Sequence, residues 1–297
     1  MAMKILVVGG TRFIGPRLVQ RLAALGHRVA VFHRGEHRCA MPASVRDIVD
    51  RRGATPVVEY PNEVLAIHPD VVIHMMAMGE HDAAAARDAF AGVARRIVMV
   101  SSGDVYRAYG CFHQTEPGPL EPTPLKETAA LRTILFPYRK PDTPREQIEY
   151  FYEKIFAERE IAANPALPAT ILRLPKVYGA DDNADLATVY GFRTHPAWRW
   201  THGHVDNVAH AIVLAATHDT ARGVFNVGEE HTPTIAERLA YLPAREDAPL
   251  FHEDCRFEQN VDYDTSRIRR ELGFEEVVSE RDGMAMVVRQ FLEKHVR

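Results

Sequence analysis

The first 35 residues read as a strand, a glycine-rich turn, a helix and a second strand, and this unit constrains the fold more than any other feature. Residues Lys4 to Val8 form a short apolar run closed by two glycines, a pattern typical of a fully buried parallel strand. From Phe13 the apolar residues recur at helical spacing, up to Gly26, which is suited to ending a helix. A helix that begins at the end of a buried strand directs its N-terminal amides toward that end, where they bind anions. The sequence therefore predicts an α/β fold with an anion site after the first strand.

The turn itself indicates which anion binds. Gly9 can adopt a tight turn, Gly10 lets a phosphate approach the backbone, and Gly15 lets the helix pack closely on the strand. Arg12 stands where a dinucleotide-binding turn normally has its middle glycine. The alternative is that the glycines serve packing alone. We assign to a dinucleotide cofactor the residues of this turn, Gly9, Gly10, Thr11, Arg12, Phe13, Ile14 and Gly15.

The residues that end the second strand bear on which dinucleotide binds. An acidic residue about 20 positions after the glycines would bind the ribose 2′-hydroxyl of NAD. Here the chain has His33 and Arg34 instead. Arg34, together with Arg12, has the bidentate geometry that suits a 2′-phosphate. We therefore predict NADP as the cofactor, with His33 and Arg34 in its site. The alternative is NAD, with Glu36 on the ribose and Arg34 solvated.

Composition excludes some classes of protein. The 297 residues are 46% hydrophobic and 26% charged, which is enough for one substantial core with an appended lobe. A sequence pI of about 6.4 argues against a nucleic-acid surface that spans the whole chain, so a nucleic-acid partner is not expected. The three cysteines lack a CxxC spacing and predict free thiols, and the dispersed histidines predict no metal site. Since no long apolar span or signal peptide occurs, we expect a cytoplasmic protein without a membrane partner.

Further strands and helices alternate along the N-terminal half. Pro56 to Glu59 is the predicted third strand, Pro69 to His74 the fourth and Arg96 to Val100 the fifth, with a helix over His81 to Arg95. This alternation predicts a doubly wound parallel sheet of the Rossmann type, which binds ligands at the carboxyl ends of its strands. At the end of the fourth strand we assign Met75 and Ala77 to the cofactor site.

A second helix carries the next chemical signal. Thr143 and Pro144 have the pattern of a capped helix start, which predicts a helix over residues 144–163. Tyr150 and Lys154 are four residues apart and would therefore share one face of that helix.

The tyrosine and the lysine form a proton-transfer pair if they are close in space. A tyrosine hydroxyl has an ordinary pKa of about 10, and a nearby ammonium group lowers that pKa toward neutrality. Ser102, after the fifth strand, could then hold the substrate oxygen against the phenol. The spacing alone is weak, and Tyr152 and Tyr138 are rival tyrosines. The order of the motifs along the chain favours Ser102, Tyr150 and Lys154 as the catalytic residues.

These motifs resemble the extended short-chain dehydrogenase/reductase family, in its NAD-dependent epimerase/dehydratase group. The resemblance implies that Ser102, Tyr150 and Lys154 are the catalytic residues and that Lys154 also contacts the nicotinamide ribose. It further implies that Pro175 and Val177 border the nicotinamide, and that the chain forms a homodimer through a helix pair. The matching stretches are GGTRFIG (9–15), DVVIHMMA (70–77), SSGDVY (101–106), YFYEKIFAE (150–158), LRLPKVYGADD (172–182), HVDNVAHAI (204–212), GVFNVGE (223–229) and DTSRIRRELGF (264–274).

Two departures from the family pattern concern function. With Arg12 in its glycine-rich turn, the chain is similar to an atypical branch of the family that includes chloroplast stem-loop RNA-binding proteins. The sugar-nucleotide dehydratases of the family carry an Asp-Glu pair after the active-site serine or threonine, whereas this chain has Gly103 and Asp104. Dehydratase chemistry is therefore disfavoured. Asp104 is either an auxiliary acid or base on the substrate or, alternatively, the cap of a turn.

The C-terminal part resembles a reduced substrate lobe. We expect a dinucleotide-binding domain over residues 1–175 and a small substrate-binding lobe over residues 176–297, with residues 204–228 returning to the Rossmann core. Arginines there suit an anionic group and tryptophans suit stacking, although aromatic packing in the core is an equal alternative. The candidate substrate contacts are Asp104, Tyr178, Arg193, Trp198 and Arg199.

Taken together, the motifs predict an NAD(P)-dependent oxidoreductase or epimerase. Its substrate would be small and sugar-derived, and the reaction would occur at a hydroxyl or carbonyl carbon. The alternative is a catalytically divergent nucleotide- or RNA-binding protein of the same fold. The retained serine, tyrosine and lysine favour the enzyme.

Overall fold

A computed structural model of the chain describes residues 1–37, 39–53, 55–179, 185–245, 248–251 and 254–295. The strands are β1 (Lys4–Val8), β2 (Arg28–His33), β3 (Arg46–Val49), β4 (Val71–His74), β5 (Arg96–Ser102), β6 (Ala169–Leu174), β7 (Lys176–Tyr178), β8 (His202–His204) and β9 (Gly223–Asn226). The helices are α1 (Ile14–Ala24), α2 (Asn62–Leu65), α3 (Glu80–Phe90), α4 (Arg107–Phe112), α5 (Ile148–Phe151), α6 (Lys154–Ala162), α7 (Asp185–Gly191), α8 (Val205–Thr217), α9 (Ile235–Leu239), α10 (Ser266–Leu272) and α11 (Glu280–His295).

The predicted Rossmann-type sheet is confirmed. Seven strands form one sheet in the order β3-β2-β1-β4-β5-β6-β9. The pairs β1 with β2, β1 with β4, β2 with β3 and β4 with β5 are all parallel. The strand order reverses between β1 and β4, and in open α/β sheets ligands bind at such a reversal, beyond the carboxyl ends of the strands.

The apolar runs of the central strands are buried on both faces. Ile5, Leu6 and Val7 of β1 are all 0% exposed. On one face, Leu6 packs in a cluster that includes Phe90 of α3 and Ile161 of α6. Because helices cover both faces, the strand has no solvent-facing side, and the polar alternation of a half-exposed strand is absent.

Two predicted elements of the N-terminal half need correction. The third strand was wrongly placed at residues 56–59, which form no strand, whereas β3 is Arg46–Val49. β3 ends the sheet and buries only Ile48, so it lacks the continuous apolar run that marks a central strand. The helix predicted over residues 81–95 is present as α3, but it ends at Phe90 because Ala91 is extended.

The single helix predicted over residues 144–163 is wrong. Two short helices, α5 and α6, occupy this segment, and the chain between them is extended at Tyr152 and Glu153. Thr143 does not cap a helix, since its hydroxyl accepts a hydrogen bond from the backbone N–H of Lys140 at 2.7 Å.

Contacts divide the chain into two compact units, each made of interleaved segments. The first comprises Met1–Ser102, Ile134–Arg173 and Ala209–Phe225. The second comprises Gly103–Thr133, Leu174–Val208 and Asn226–Arg297. Compact units need not coincide with functional domains, so the predicted domain bounds stay a prediction.

The second unit contains a two-stranded parallel sheet of β7 and β8. Tyr178 at the end of β7 packs with Met284 and Val287 of α11. The last residues of the LRLPKVYGADD motif, 180–182, lie outside the described residues. In the described ranges, no helix has the length and hydrophobicity needed to cross a bilayer. Cys39, Cys111 and Cys255 form no disulfide with one another.

Candidate functional site

The glycine-rich turn passes directly from β1 into α1. Gly9 and Gly10 have φ angles of 93° and 95°, in the left-handed region that disfavours residues with a Cβ. A Cβ on Gly9 would lie 2.7 Å from Cγ of Met76, and a Cβ on Gly15 would lie 2.3 Å from the backbone of Gly10. These positions therefore require glycine, for backbone conformation and for space.

The start of α1 suits a phosphate group. Phe13 precedes the helix with a φ of 49°, and its side chain offers no acceptor to the first amides. Helices leave their first N–H groups without intrahelical partners, and a phosphate satisfies them. The diphosphate of a dinucleotide therefore fits this turn, because the glycines leave room beside those amides.

A cavity of about 270 Å³ opens at this turn, within the first unit. It lies at the carboxyl ends of β1, β2 and β4, where a Rossmann sheet binds a nucleotide. The structure brings together on its walls seven of the predicted cofactor residues, Gly9, Gly10, Thr11, Arg12, His33, Arg34 and Met75. The wall does not include the other seven, Phe13, Ile14, Gly15, Ala77, Lys154, Pro175 and Val177.

His33 and Arg34, which we predict to select the cofactor, interact with neighbouring residues of the cavity wall. The Arg34 guanidinium donates to the hydroxyl of Thr55 and pairs with Glu36 at 2.8 Å. Nδ1 of His33 accepts from the N–H of Gly35 at 3.0 Å, so in the neutral ring the proton sits on Nε2. The wall thus contains both Arg34, a cation that suits a 2′-phosphate, and Glu36, a carboxylate that suits a ribose hydroxyl.

Asp50, directly after β3, lines the cavity but is not among the predicted cofactor residues. It is 5% exposed, and its Oδ1 accepts from Nε of Arg52 at 2.9 Å. The hydrogen bond from Arg52 lowers the pKa of Asp50, so this wall carries a carboxylate. An acidic residue directly after a strand is the signal that would indicate Asp50. Because the third strand was predicted at residues 56–59 rather than 46–49, this signal was not available.

Lys154 is the first residue of α6 and is only 4% exposed. Its Nζ donates to the carbonyl of Ala77 at 2.6 Å and to that of Val100 at 3.1 Å. These carbonyls lie at the ends of β4 and β5, so the ammonium is held at the ligand-binding edge of the sheet. Burying an ammonium is costly unless it is hydrogen-bonded, and the two carbonyls provide those bonds.

Buried titratable groups surround Lys154. Burial, followed by the charge of Lys154, lowers the pKa of His74 to about 3. Burial raises the pKa of Asp82, against the opposing effect of backbone amides and of Lys154. The hydroxyl of Tyr60 lies 3.3 Å from Nε2 of His74. The ammonium of Lys154 therefore lies beside a neutral imidazole and near a buried carboxyl group.

Tyr150 lies in α5, whereas Lys154 begins α6. The Tyr150 ring lies 4.3 Å from Cζ of Arg139 and lines a second cavity of about 340 Å³. The Tyr152 ring centroid, by contrast, lies 5.7 Å from Nζ of Lys154. The shared helical face predicted for Tyr150 and Lys154 is therefore wrong, while a catalytic role for Tyr150 stays a prediction.

Ser102 is the last residue of β5 and is half-buried. The preceding Ser101 donates its hydroxyl proton to Glu158 at 2.6 Å, and Glu158 pairs with Arg173 at 2.7 Å. All three of these neighbouring side chains are buried. They tie the end of β5 to α6 and β6, and so hold Ser102 in place at the same edge of the sheet as Lys154.

Predicted substrate residues of the second unit are mostly engaged in its own structure. Asp104 lies in a 3₁₀ turn, Gly103–Val105, and its carbonyl accepts from Nε of Arg132 at 2.5 Å. Asp104 thus lies in a turn, and its roles as a turn cap or as a substrate contact both stay predictions. Pro175 is buried just before β7, and Val177 lies in β7. Their contact with a nicotinamide stays a prediction.

Tyr178 belongs to a buried network in the second unit. Its hydroxyl donates to Glu229 at 2.6 Å, and Glu229 pairs with Arg238 at 2.6 Å. The Arg238 guanidinium also lies 4.9 Å from the centroid of the Tyr178 ring. Burial raises the pKa of both Tyr178 and Glu229. Tyr178 is 0% exposed, so its hydroxyl serves this network.

Trp198 adopts the core packing that was the alternative to ligand stacking. It is 2% exposed, stacks on Phe112 at 4.3 Å and donates its indole N–H to the carbonyl of Gln259 at 2.8 Å. Arg193 donates to a backbone carbonyl at 2.8 Å, and Arg199 donates to the carbonyl of Thr232. Both arginines are half-buried, and their contact with a substrate stays a prediction.

The sequence also matches known proteins. A model described as the NAD dependent epimerase/dehydratase family matches residues 5–228. A curated relative, 2′-dehydrokanamycin reductase from Streptomyces kanamyceticus, is 30% identical over 239 residues. That alignment covers 75% of this chain and 60% of the relative, so the chain spans less than two thirds of the relative's length.

Solved structures share the fold at lower identity. The Bordetella bronchiseptica enzyme WbmG in complex with NAD superposes with a TM-score of 0.70 and 16% identity, over 100% of this chain and 96% of that chain. UDP-glucose 4-epimerase from Thermotoga maritima with UDP-glucose gives a TM-score of 0.72 and 17% identity, over 99% and 100%.

Proposed function

The chain belongs to the NAD-dependent epimerase/dehydratase family, and on that premise we propose that it is an NADP(H)-dependent oxidoreductase or epimerase. It acts on a hydroxyl or carbonyl carbon of a small, sugar-derived substrate. The observation that carries the proposal is Lys154, whose buried Nζ is bound to the carbonyls of Ala77 and Val100 at the edge of the sheet that also forms the nucleotide cavity. The relative named as a reductase and the fold neighbour that holds UDP-glucose support the substrate class.

NADP is the proposed cofactor, with NAD as the alternative. Arg34 and Arg12 both line the cavity and would pair with a 2′-phosphate. Glu36, which is bound to Arg34, would serve the ribose hydroxyls if NAD binds. Arg34 must release Glu36 or share its guanidinium in order to bind a phosphate.

The proposed chemistry divides between the cofactor and the chain. When bound, the nicotinamide supplies or accepts the hydride. Ser102 orients the substrate oxygen, and a tyrosine of the 150–152 segment exchanges a proton with that oxygen. The ammonium of Lys154 stabilises the phenolate form of that tyrosine, and the two carbonyls keep its Nζ in position. A homodimer and a cytoplasmic location stay predictions.

The cofactor claim is tested by isothermal titration calorimetry with NADPH and NADH. We expect NADPH to bind about tenfold more tightly, equivalent to about 1.4 kcal/mol, because Arg34 pairs with the 2′-phosphate. The variant Arg34→Ala should remove this preference. Equal affinities for the two cofactors in the native protein would refute the NADP assignment.

A pair of glycine variants tests the site itself. Gly15→Ala places a Cβ 2.3 Å from the backbone of Gly10 and should abolish cofactor binding. Gly53→Ala is the control, since Gly53 also has a positive φ, of 63°, but among the described residues no atom beyond its chain neighbours lies within 4 Å of the added Cβ. The control should bind NADPH normally. A native chain that binds neither cofactor would favour the divergent nucleotide- or RNA-binding protein.

A further inference from the structure

The break between α5 and α6 changes which tyrosine can act with Lys154. Tyr152 has φ and ψ angles of -64° and 111°, and Glu153 has angles of -153° and 92°, so neither is helical. A spacing of four residues brings side chains together only within a continuous helix. Across an extended pair of residues this spacing no longer implies that Tyr150 faces Lys154.

The break is held by the buried residue Glu153, which is 0% exposed. Its backbone N–H donates to the carbonyl of Met78 at 2.8 Å. Its carboxylate accepts from the N–H of Ile155 at 3.0 Å and from the N–H of Phe136 at 2.6 Å. Glu153 therefore caps α6 and ties the break to the segment after β4.

The segment after β4 is shaped to receive the break. A Cβ on Gly79 would lie 2.5 Å from the carbonyl oxygen of Phe151. Only glycine permits this approach, so the chain around Phe151 rests directly against the start of α3. The contact between Gly79 and Phe151 and the hydrogen bond from Glu153 to Met78 both lie at the break, where Tyr152 and Glu153 are extended.

The charges around the two tyrosines differ. The Tyr152 ring centroid lies 5.7 Å from Nζ of Lys154, and the ring packs edge-on against Tyr138 at 5.1 Å. The nearby carboxylate of Glu153 is bound to backbone amides. The ammonium of Lys154 is itself next to the buried groups His74 and Asp82.

Tyr150 has arginines as its cationic neighbours. Cζ of Arg139 lies 4.3 Å from the ring centroid, and Nε of Arg139 donates to the carbonyl of Tyr150 at 2.5 Å. Cζ of Arg145 lies 5.7 Å from the same ring. Both arginines are solvent-exposed, where water and salt screen their charge. Tyr150 faces the second cavity, which it lines with the arginines.

Resting on the proposed function, we infer that Tyr152 is the tyrosine that exchanges the proton with the substrate. In the oxidation direction, the substrate hydroxyl would give its proton to the Tyr152 phenolate, and a bound oxidised cofactor would take up the hydride that the carbon loses. In the reduction direction, the Tyr152 phenol would return the proton to the carbonyl oxygen, and a bound reduced cofactor would supply the hydride to the carbon. Lys154 stabilises the phenolate form.

The inference is tested by NMR titration of protein labelled with ¹³C at Cζ of tyrosine, which reports each phenol's ionisation without a substrate. The variants Tyr152→Phe and Tyr150→Phe assign the two signals. We expect Tyr152 to titrate at least about one pH unit below the ordinary tyrosine pKa of about 10. Lys154→Met should raise that midpoint toward 10 and leave the Tyr150 midpoint unchanged. Lys154→Arg, which keeps the charge, should largely preserve the low midpoint.

Two outcomes overturn the inference. One is a Tyr150 signal that titrates low and shifts upward in Lys154→Met; the other is a Tyr152 signal with an ordinary midpoint in the native protein. If Lys154→Met does not fold, the two midpoints in the native protein decide the question. NADPH calorimetry on the same native sample separates this result from the proposed function, because cofactor binding fails or succeeds independently of either tyrosine's midpoint.

Discussion

At the residue scale, burial and a neighbouring cation decide the charge of His74 near the candidate site. Lys154 remains paired with two carbonyls, whereas His74, completely buried beside that cation, has its pKa lowered to about 3. Two positive charges in one desolvated pocket would repel, so the imidazole is neutral. Its Nδ1 accepts from the N–H of Met76 at 3.2 Å, which orients the turn after β4. Neutral His74 thus acts as a structural hydrogen-bonding residue.

The titration of His74 predicts a pH dependence of stability. Its pKa is about 3 in the folded protein and about 6.5 when unfolded. Between these values the unfolded chain binds more protons, so the stability that neutral His74 contributes is complete above about pH 6.5 and is lost as pH falls toward 3. The loss reaches at most about 1.4 kcal/mol per pH unit. Urea unfolding of the native chain from pH 6.5 to 4 should show this slope.

His74→Asn should flatten the slope, because asparagine keeps an acceptor for Met76 but does not titrate. His231→Asn is the matched control, since the His231 side chain is 67% exposed. The control should follow the native curve. Parallel curves for the native chain and His74→Asn would contradict the assignment.

Individual residues also differ in how far sequence reveals them. Gly9, Gly10 and Arg34 can be predicted from their position after strands, since parallel strands place the residues after them at one edge of the sheet. Asp50 cannot be predicted in this way, because β3 buries one residue and gives no apolar run. The sequence leaves Tyr152 as a rival of Tyr150, and the backbone at the break is what distinguishes the two.

At the scale of elements, two short helices replace one long helix before and after Tyr152. Apolar periodicity predicts β1, β4 and β5 well, because each is buried on both faces. The segment 144–163 has helix-forming residues throughout, and local propensity alone favours continuity. The buried carboxylate of Glu153 reverses that preference, because it bonds backbone amides on two segments, including Phe136. Tertiary contacts therefore override local propensity here.

Removing this cap should destabilise the chain. Glu153→Ala leaves the buried N–H of Ile155 and the partly buried N–H of Phe136 without the carboxylate, which should cost about 2–3 kcal/mol of unfolding free energy. Glu149→Ala is the control, because Glu149 is exposed in α5 and should change stability by less than about 0.5 kcal/mol. Urea denaturation followed by circular dichroism measures both. Equal midpoints for the two variants would show that Glu153 does not hold the break.

At the scale of the whole molecule, two compact units are each assembled from separate stretches of sequence. The first unit contains the glycine turn, the cavity, Ser102 and Lys154, although these lie in distant parts of the chain. The second unit has its own buried polar network around Tyr178 and its own aromatic core around Trp198. Assembly of the site therefore depends on folding of the entire first unit.

Cofactor binding should stabilise the molecule through that unit. NADPH at a hundred times its Kd should add about 2.7 kcal/mol to the free energy of unfolding. For a chain of this size that corresponds to a rise in Tm of about 5 °C, measured by differential scanning calorimetry. NADH at the same concentration should give a smaller shift. An unchanged Tm in the presence of either cofactor would contradict the assignment of the cavity to the cofactor.

Local sequence patterns suffice to predict the Rossmann fold, the glycine-rich turn and the family, because these depend on local periodicity and on residue types whose backbone requirements are fixed wherever they occur. Long-range contacts instead determine that β3 lies at residues 46–49, that Asp50 lines the cavity, that Trp198 is a core residue and that the Tyr152 ring centroid lies 5.7 Å from Nζ of Lys154. Each of these depends on contacts between residues far apart in the chain, which compete with local preference and which no short window of sequence contains.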